Sequence, residues 1–133
     1  MNFLLDTNIC SAHLKRPAGL MHHFVQHSGG LCVSTIVVGE LYTWAYNRKN
    51  WAEAVQRIEN DLLPDVIVLD FDSPCAREFG RVRAQLLQVG ISVSRLDLLI
   101  ASVALVHNLT LVTHNTADFQ HIPNLRLDDW LTP

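Results

Sequence analysis

The sequence predicts an α/β fold built on a short, mostly parallel sheet of four to five strands. Short apolar runs alternate along the chain with longer segments of helical character, the pattern of parallel strands joined by helical crossovers. The 133 residues, 49% of them apolar, suffice for one domain with a sizeable core. No repeat, linker or low-complexity tract divides the chain, so we expect a single domain over residues 1–133.

The first elements are predicted from apolar runs and from the residues that stop helices. Residues 2–5 form an apolar run and are predicted to be a buried strand. A helix is predicted from about Thr7 to Leu14, ending before Pro17, because the residue before a proline disfavours helical geometry. A second helix is predicted over residues 20–27, followed by a strand over residues 31–33.

The middle and end of the chain continue the alternation. Ser34 or Thr35 is a suitable cap for the next helix, which is predicted to reach about Asn47. The sequence Asp72-Ser73-Pro74 is typical of a helix start, with a capping residue and an early proline. The other predicted segments are a helix over 51–63, a strand over 65–69, helices over 73–90 and 96–107, and strands over 110–113 and 125–127.

Four acidic residues stand where predicted elements begin or end: Asp6, Glu40, Asp97 and Asp118. A carboxylate beside a core is costly unless it is paired, hydrogen-bonded or bound to a cation. Four such groups, if the fold brings them together, provide the oxygen ligands that Mg²⁺ or Mn²⁺ prefers. The pattern therefore predicts metal-assisted chemistry on phosphodiesters, with these four residues as metal ligands.

Parallel strands give a reason for these acids to converge. Asp6 follows the first predicted strand, Glu40 lies shortly after the second, and Asn115 and Asp118 follow the fourth. Sites in open parallel sheets form beyond the carboxyl ends of the strands, which all lie at one edge. Asp97 begins a nearly all-apolar helix and is expected to lie at the same edge.

Each of these residues also has an ordinary structural interpretation. Helix capping explains an aspartate after a strand or before an apolar helix, and an Asx turn explains Asn115 after a strand. In the functional interpretation, Thr7 and Asn8 steady the first carboxylate or contact a phosphate. Thr113 and Asn115 then form a hydrogen-bonding scaffold that orients the ligands.

Three further residues are candidates for contacts with nucleic acid. Trp44 and Arg48 follow Glu40 at i+4 and i+8, so the three side chains share a helix face suited to a metal, a stacked base and a phosphate. Trp44 is equally explained as a core or dimer residue. Arg95 is either a phosphate contact or a salt-bridge partner.

Composition limits the remaining possibilities. The net charge of −3 and pI near 6.1 argue against binding nucleic acid through bulk positive charge. No apolar run approaches the ~18 residues that a membrane-spanning helix needs, and the N-terminus has no signal-peptide pattern. Three widely spaced cysteines do not indicate a disulfide framework or zinc ribbon. We expect a cytoplasmic protein.

Four segments together resemble PIN-domain ribonucleases, specifically the VapC-type toxins of toxin–antitoxin systems. They are Leu4-Leu5-Asp6-Thr7-Asn8, Val38-Gly39-Glu40-Leu41, Leu96-Asp97-Leu98-Leu99-Ile100-Ala101 and Leu111-Val112-Thr113-His114-Asn115-Thr116-Ala117-Asp118-Phe119. The resemblance implies a three-layer α/β/α fold and a Mg²⁺-dependent endoribonuclease whose acidic quartet is Asp6, Glu40, Asp97 and Asp118. It further implies a homodimer that is inhibited by a cognate antitoxin lying across the active site.

Two other classes of protein share some of these features. A phosphatase of the haloacid dehalogenase type also begins with a strand ending in Asp, but it needs a second acid at the position of Asn8. A catalytically inactive PIN-like binding module would use its acids only as caps and recruit a protein through the aromatic segment from Tyr42 to Trp51. Metal binding distinguishes this module from the nuclease.

Overall fold

The computed structural model describes residues 1–131, and they contain one five-stranded sheet. Each strand pairs with its neighbours in parallel, and the spatial order is β3-β2-β1-β4-β5. The strands are β1 (Phe3–Leu5), β2 (Leu31–Ser34), β3 (Ile67–Leu69), β4 (Thr110–Val112) and β5 (Leu127–Asp128). The predicted α/β class with a short parallel sheet is confirmed.

Seven α-helices connect these strands within residues 1–131. They are α1 (Thr7–Lys15), α2 (Pro17–Gln26), α3 (Thr35–Tyr46), α4 (Trp51–Arg57), α5 (Ser73–Gln88), α6 (Arg95–His107) and α7 (Thr116–Phe119). A π-helical turn (Ile58–Leu62) and a 3₁₀ turn (Leu63–Asp65) lead from α4 to β3.

The strand order determines which face of the sheet each helix covers. Connections β1→β2→β3 move outward in one direction, whereas β3→β4→β5 moves back past β1 in the other. Because parallel crossovers are almost always right-handed, α1 to α4 lie on one face and α5 to α7 on the opposite face. The packing of α1 on α2 and α3, and of α6 on α5 and α7, agrees with this three-layer α/β/α arrangement.

Side-chain caps fix where several helices begin. The Asp6 and Asp72 carboxylates accept hydrogen bonds from backbone amides of α1 and α5, and the Ser34 and Ser94 hydroxyls do the same for α3 and α6. Each cap satisfies one of the amides that a helix N-terminus leaves unpaired. Of the two caps considered for the helix carrying Glu40, the structure selects Ser34, whose Oγ accepts from Val37 N at 3.2 Å.

Several boundaries differ from the predicted ones for identifiable reasons. α2 begins at Pro17 rather than at residue 20, because proline is well tolerated in the first turn of a helix. The helix predicted over 51–63 is regular only to Arg57, and Pro64, which has no amide hydrogen, lies where a longer helix would continue. The fifth strand is Leu127–Asp128 rather than 125–127, and α7 occupies part of the segment interpreted as an Asx-turn loop.

The cysteines and the helices of residues 1–131 bear on two of the expectations from composition. Cys10, Cys32 and Cys75 are buried free thiols. Among the described helices, none combines the length and the apolar character that crossing a bilayer would require.

The cap of α6 can be tested by substitution. Ser94→Ala removes the hydroxyl that accepts from Asp97 N, so we expect the free energy of unfolding to fall by about 1 kcal/mol. Urea unfolding followed by circular dichroism measures this difference. Ser92→Ala, an exposed position outside the helix, is the matched control and is expected to change little. Equal stability of the two variants would contradict the capping assignment.

Candidate active site

Asp6 lies immediately after β1 and is held in place by both of its carboxylate oxygens. Oδ1 accepts a hydrogen bond from Thr7 N at 2.8 Å, and Oδ2 accepts one from Thr113 Oγ1 at 2.7 Å. The residue is only 5% exposed. Capping and site formation are therefore compatible, because a carboxylate oxygen has a further lone pair after accepting one hydrogen bond.

Thr113 is the centre of a hydrogen-bond network that joins the ends of β1 and β4. Besides donating to Asp6, its hydroxyl accepts from Asn115 N at 3.1 Å and from Asn8 Nδ2 at 3.4 Å. Asn8 Oδ1 in turn accepts from His114 N at 3.2 Å. The chain connections reverse direction between β1 and β4, which is the position where open α/β sheets form binding crevices.

The other two aspartates reach this crevice from α6 and α7. Asp97 is half-buried in the first turn of α6, where its amide donates to Ser94 Oγ at 3.1 Å. Asp118 is exposed on the single-turn helix α7, and its amide donates to the Asn115 carbonyl at 3.0 Å. Asn115 therefore supports Asp118 through its backbone rather than through its side-chain amide.

Electrostatics indicates that these three carboxylates lie close enough to affect one another's ionisation. Burial raises the pKa of Asp6, the Asp118 charge raises it further, and the hydrogen bonds from Thr113 and Thr7 oppose the increase. Burial likewise raises the pKa of Asp97, with additional contributions from the charges of Asp6 and Asp118. Like charges repel each other only when the fold holds them near one another, so Asp6, Asp97 and Asp118 converge.

This acidic group has no cationic partner within residues 1–131. The ion pairs there join Arg57 to Asp61, Arg81 to Glu78 and His114 to Asp129, and none includes a predicted metal ligand. Thr7 Oγ1 is buried next to Asp6 without a hydrogen-bond partner.

Carboxylate and hydroxyl oxygens are the donor type that suits Mg²⁺ or Mn²⁺, so the chemistry of this group fits such an ion. As placed, however, the described residues contain no group of three acidic, histidine or cysteine side chains arranged to enclose a metal ion. The structure thus provides a shared, unneutralised negative field rather than a closed ligand set.

Glu40 is less directly connected to the other acids. It lies in the second turn of α3, is half-buried, and shares no described hydrogen bond or ion pair with Asp6, Asp97 or Asp118. Its helix does contact α6, the helix that carries Asp97. The role of all four acids as metal ligands, Glu40 included, stays a prediction.

The residues predicted to contact nucleic acid differ from one another in how far they are engaged within the chain. The Trp44 ring is half-buried and lies close to two cations, with Arg48 Cζ 5.1 Å and Lys15 Nζ 5.9 Å from its centroid. Part of the ring is thus engaged within the chain rather than open to a base. Arg95 is exposed two residues before Asp97 and takes part in none of the ion pairs of residues 1–131.

Sequence reasoning missed two contributions to this site. The first is the hydrogen bond from His114 N to Asn8 Oδ1. It joins residues 106 positions apart, and no local pattern in the sequence indicates this contact. Ser94 was not assigned as the cap of α6, although Ser94-Arg95-Leu96-Asp97 before an apolar run has the spacing of a capping box.

The chain is similar to known proteins in both sequence and structure. The PIN domain profile matches residues 3–125. A tRNA(fMet)-specific endonuclease VapC from Shigella flexneri is 33% identical over 131 residues, which cover 98% of each chain. Ribonuclease VapC2 from Rickettsia felis is 34% identical over 133 residues with the same coverage of both chains.

Solved structures show the same relationship. The chain matches DNA-bound VapBC from Salmonella typhimurium with a TM-score of 0.92 at 31% identity, covering 98% of each chain. VapBC2 from Rickettsia felis bound to a promoter DNA fragment matches with a TM-score of 0.90 at 32% identity, covering 98% of this chain and 99% of the other. The protein therefore belongs to the PIN-domain family and, within it, to the VapC-type ribonucleases of toxin–antitoxin systems.

Proposed function

We propose that the protein is a Mg²⁺-dependent endoribonuclease toxin, with Mn²⁺ as a possible substitute ion, which a cognate antitoxin neutralises. The observation that carries this proposal is the convergence of Asp6, Asp97 and Asp118 without a cationic partner in the described chain. The relatives named ribonuclease VapC support RNA as the substrate class. The VapBC complexes among the structural relatives support an antitoxin partner.

In the proposed mechanism, Asp6, Asp97 and Glu40 would hold the metal ion, and Asp118 would orient the attacking water or help to hold a second ion. A bound Mg²⁺ lowers the pKa of water and offsets the charge that develops on the phosphate. Thr113 and Thr7 N keep the Asp6 carboxylate in one orientation, so little reorganisation is needed when the substrate binds.

In-line attack by water leaves a 5′-phosphate and a 3′-hydroxyl. Because the ribose 2′-hydroxyl is not the nucleophile in this route, the preference for RNA has to come from contacts and shape. Arg95, beside Asp97, is the proposed contact for a phosphate near the scissile bond. We place the reaction in the cytoplasm.

An exposed aromatic patch supports a protein-binding role in addition. Tyr46 and Trp51 are 59% and 50% exposed, their ring centroids are 5.6 Å apart, and Tyr42 extends the patch from the same face of α3. Aromatic side chains are enriched at protein interfaces. We propose this patch, defined by Tyr42, Tyr46 and Trp51, as part of the homodimer or antitoxin surface. It would also serve an inactive binding module, so activity has to be tested directly.

The nuclease proposal is tested by cleavage of tRNA(fMet) and of total cellular RNA. We expect cutting with Mg²⁺, none with excess EDTA, and a loss of at least 100-fold in Asp97→Asn, on the scale of removing one group that stabilises a transition state. Asp70→Asn, an exposed acid outside the site, is the matched control and should cut normally. Cleavage that survives both EDTA and Asp97→Asn would overturn the proposed mechanism.

Metal binding can be tested without activity through thermal stability. The pKa of Asp97 is raised in the folded protein, so its ionised form destabilises the fold above that pKa and has no such effect below the unfolded value of about 3.9. Without divalent ions, Asp97→Asn should therefore melt at a higher temperature than the parent at pH 7, with the gap closing near pH 3.5.

Mg²⁺ should raise the melting temperature of the parent, because a ligand that binds only the folded state stabilises it. The increase should be smaller in Asp97→Asn and unchanged in Asp70→Asn. If Mg²⁺ has no effect on the parent, or the same effect on Asp97→Asn, the acidic group does not bind the ion.

The aromatic patch is tested with Tyr46→Ala/Trp51→Ala. We expect at least a tenfold weaker dimer or antitoxin complex, measured by sedimentation equilibrium and by titration with purified antitoxin, because interface aromatics often account for more than 1.4 kcal/mol each. Leu87→Ala, an equally exposed apolar residue on α5, is the control. Unchanged association in both measurements would remove the patch from any interface.

A further inference from the structure

A groove runs along α1 from the acidic site towards the turn into α2. Its volume is about 620 Å³, which is within the range of ~300–1,000 Å³ typical of ligand sites. We call it the α1 groove and define it by Asn8, Ala12, Lys15, Arg16, Leu20 and Trp130. Neither the sequence patterns nor the names of the relatives assign a role to it.

The α1 groove begins at the acidic site. Asn8 lines the groove and also bonds to Thr113 and His114, beside the Asp6 carboxylate. Lys15 lies nine residues beyond Asp6, a distance of about 13 Å along the helix axis. A polymer that lies in the groove therefore reaches both the acidic site and the far end of α1.

Positive charge is concentrated at that far end. Lys15 and Arg16 are exposed, and neither belongs to an ion pair of residues 1–131. Lys15 also approaches the Trp44 ring, on which Arg48 lies as well, so a third cation is close by. This end of the groove thus offers cations that structural ion pairs do not consume.

The floor of the groove is apolar and firmly held. Ala12 and Leu20 contribute aliphatic surface, and Trp130 contributes an indole that is 8% exposed. Trp130 Nε1 donates to Asp128 Oδ2 at 3.1 Å, and its ring stacks on His23 with centroids 4.4 Å apart and planes 1° from parallel. A base that enters the groove meets a preorganised apolar surface, to which the indole contributes little area because its ring is already stacked on His23 and His27.

A nuclease with this acidic site needs cations elsewhere on its surface to bind the phosphates of its substrate. Asp6, Asp97 and Asp118 create a negative field, and a metal ion held there would offset charge near one phosphate only. The phosphates that flank the scissile bond need other cations, and a net charge of −3 provides no bulk attraction. Lys15 and Arg16 supply them at the end of a groove that opens beside the acids.

We infer that the α1 groove binds RNA next to the cleaved bond, with Lys15 and Arg16 on backbone phosphates and an unpaired base against the Ala12–Trp130 floor. The inference rests on the proposed function in taking RNA as the substrate. It goes further because it assigns one path to the RNA strand and names two phosphate contacts. These contacts, Lys15 and Arg16, are not among the candidates Trp44, Arg48 and Arg95.

The test measures RNA binding in an Asp97→Asn background, so that the probe is not consumed. The probe is a fluorescein-labelled single-stranded RNA 20-mer of random sequence, with anisotropy read in Mg²⁺ at several salt concentrations. Lys15→Ala/Arg16→Ala should weaken binding about tenfold at low salt. It should also flatten the plot of log K against log salt by about 1.4, since each single-strand phosphate contact contributes about 0.7.

Two matched variants distinguish RNA binding in the α1 groove from non-specific attraction to positive charge. Arg77→Ala/Arg81→Ala removes the same charge from α5, on the opposite face of the sheet, and should change affinity less than twofold. Ala12→Trp fills the groove without changing charge, so it should weaken binding while leaving the salt slope unaltered. Unchanged melting temperatures show that each variant is folded.

The outcomes distinguish this inference from the proposed function. Equal effects of the two double variants, or an unchanged slope for Lys15→Ala/Arg16→Ala, would overturn the groove assignment even if the parent cleaves RNA. If Lys15→Ala/Arg16→Ala weakens the antitoxin complex and not RNA binding, the groove is a protein-binding surface and the inference is wrong. Absence of RNA binding by the Asp97→Asn protein overturns the inference whatever the cleavage assay shows.

Discussion

The hydrogen bond from Thr113 Oγ1 to Asp6 Oδ2 is the contact on which the site depends. It joins residues 107 positions apart at the carboxyl ends of two adjacent parallel strands. Burial opposes the ionised form of Asp6, and this bond together with the amide of Thr7 favours it. The same threonine hydroxyl organises Asn8 and Asn115, so the position of the first carboxylate and the conformation of the loop after β4 are set together.

Acidic and basic side chains lie in different regions of the protein, although the net charge is negative. Three acids repel one another at the carboxyl edge of the sheet, while Lys15, Arg48 and the Trp44 ring gather at the ends of α1 and α3. Neither group neutralises the other within residues 1–131. In the proposed function, a polyanionic substrate that bridges the two regions would be bound by local charge, which would allow an overall acidic protein to act on RNA.

The sequence predicted those features well that depend on a few neighbouring residues, such as helix starts. Asp72-Ser73-Pro74 begins α5 as expected, because a cap and an early proline act within one helical turn. The histidines show the limit of such signals: His23 and His27 both stack on Trp130 from the far end of the chain, a contact that no local pattern predicts. Glu40 shows it too, since its distance from the other acids depends on how α3 packs against α6, which no motif encodes.

Burial is the main cause of the raised pKa values of Asp6 and Asp97, and the charges of neighbouring acids add to it. The Asp118 charge disfavours the ionised forms of Asp6 and Asp97, and the Asp6 charge disfavours that of Asp97. Asp6 is fixed by two hydrogen bonds, whereas Asp118 is exposed on a single-turn helix. A divalent ion would reverse the sign of the interaction, and Asp118 is the ligand best able to move towards it. In the proposed site, Asp6 is thus the carboxylate with the most hydrogen bonds, and Asp118 is the most exposed one.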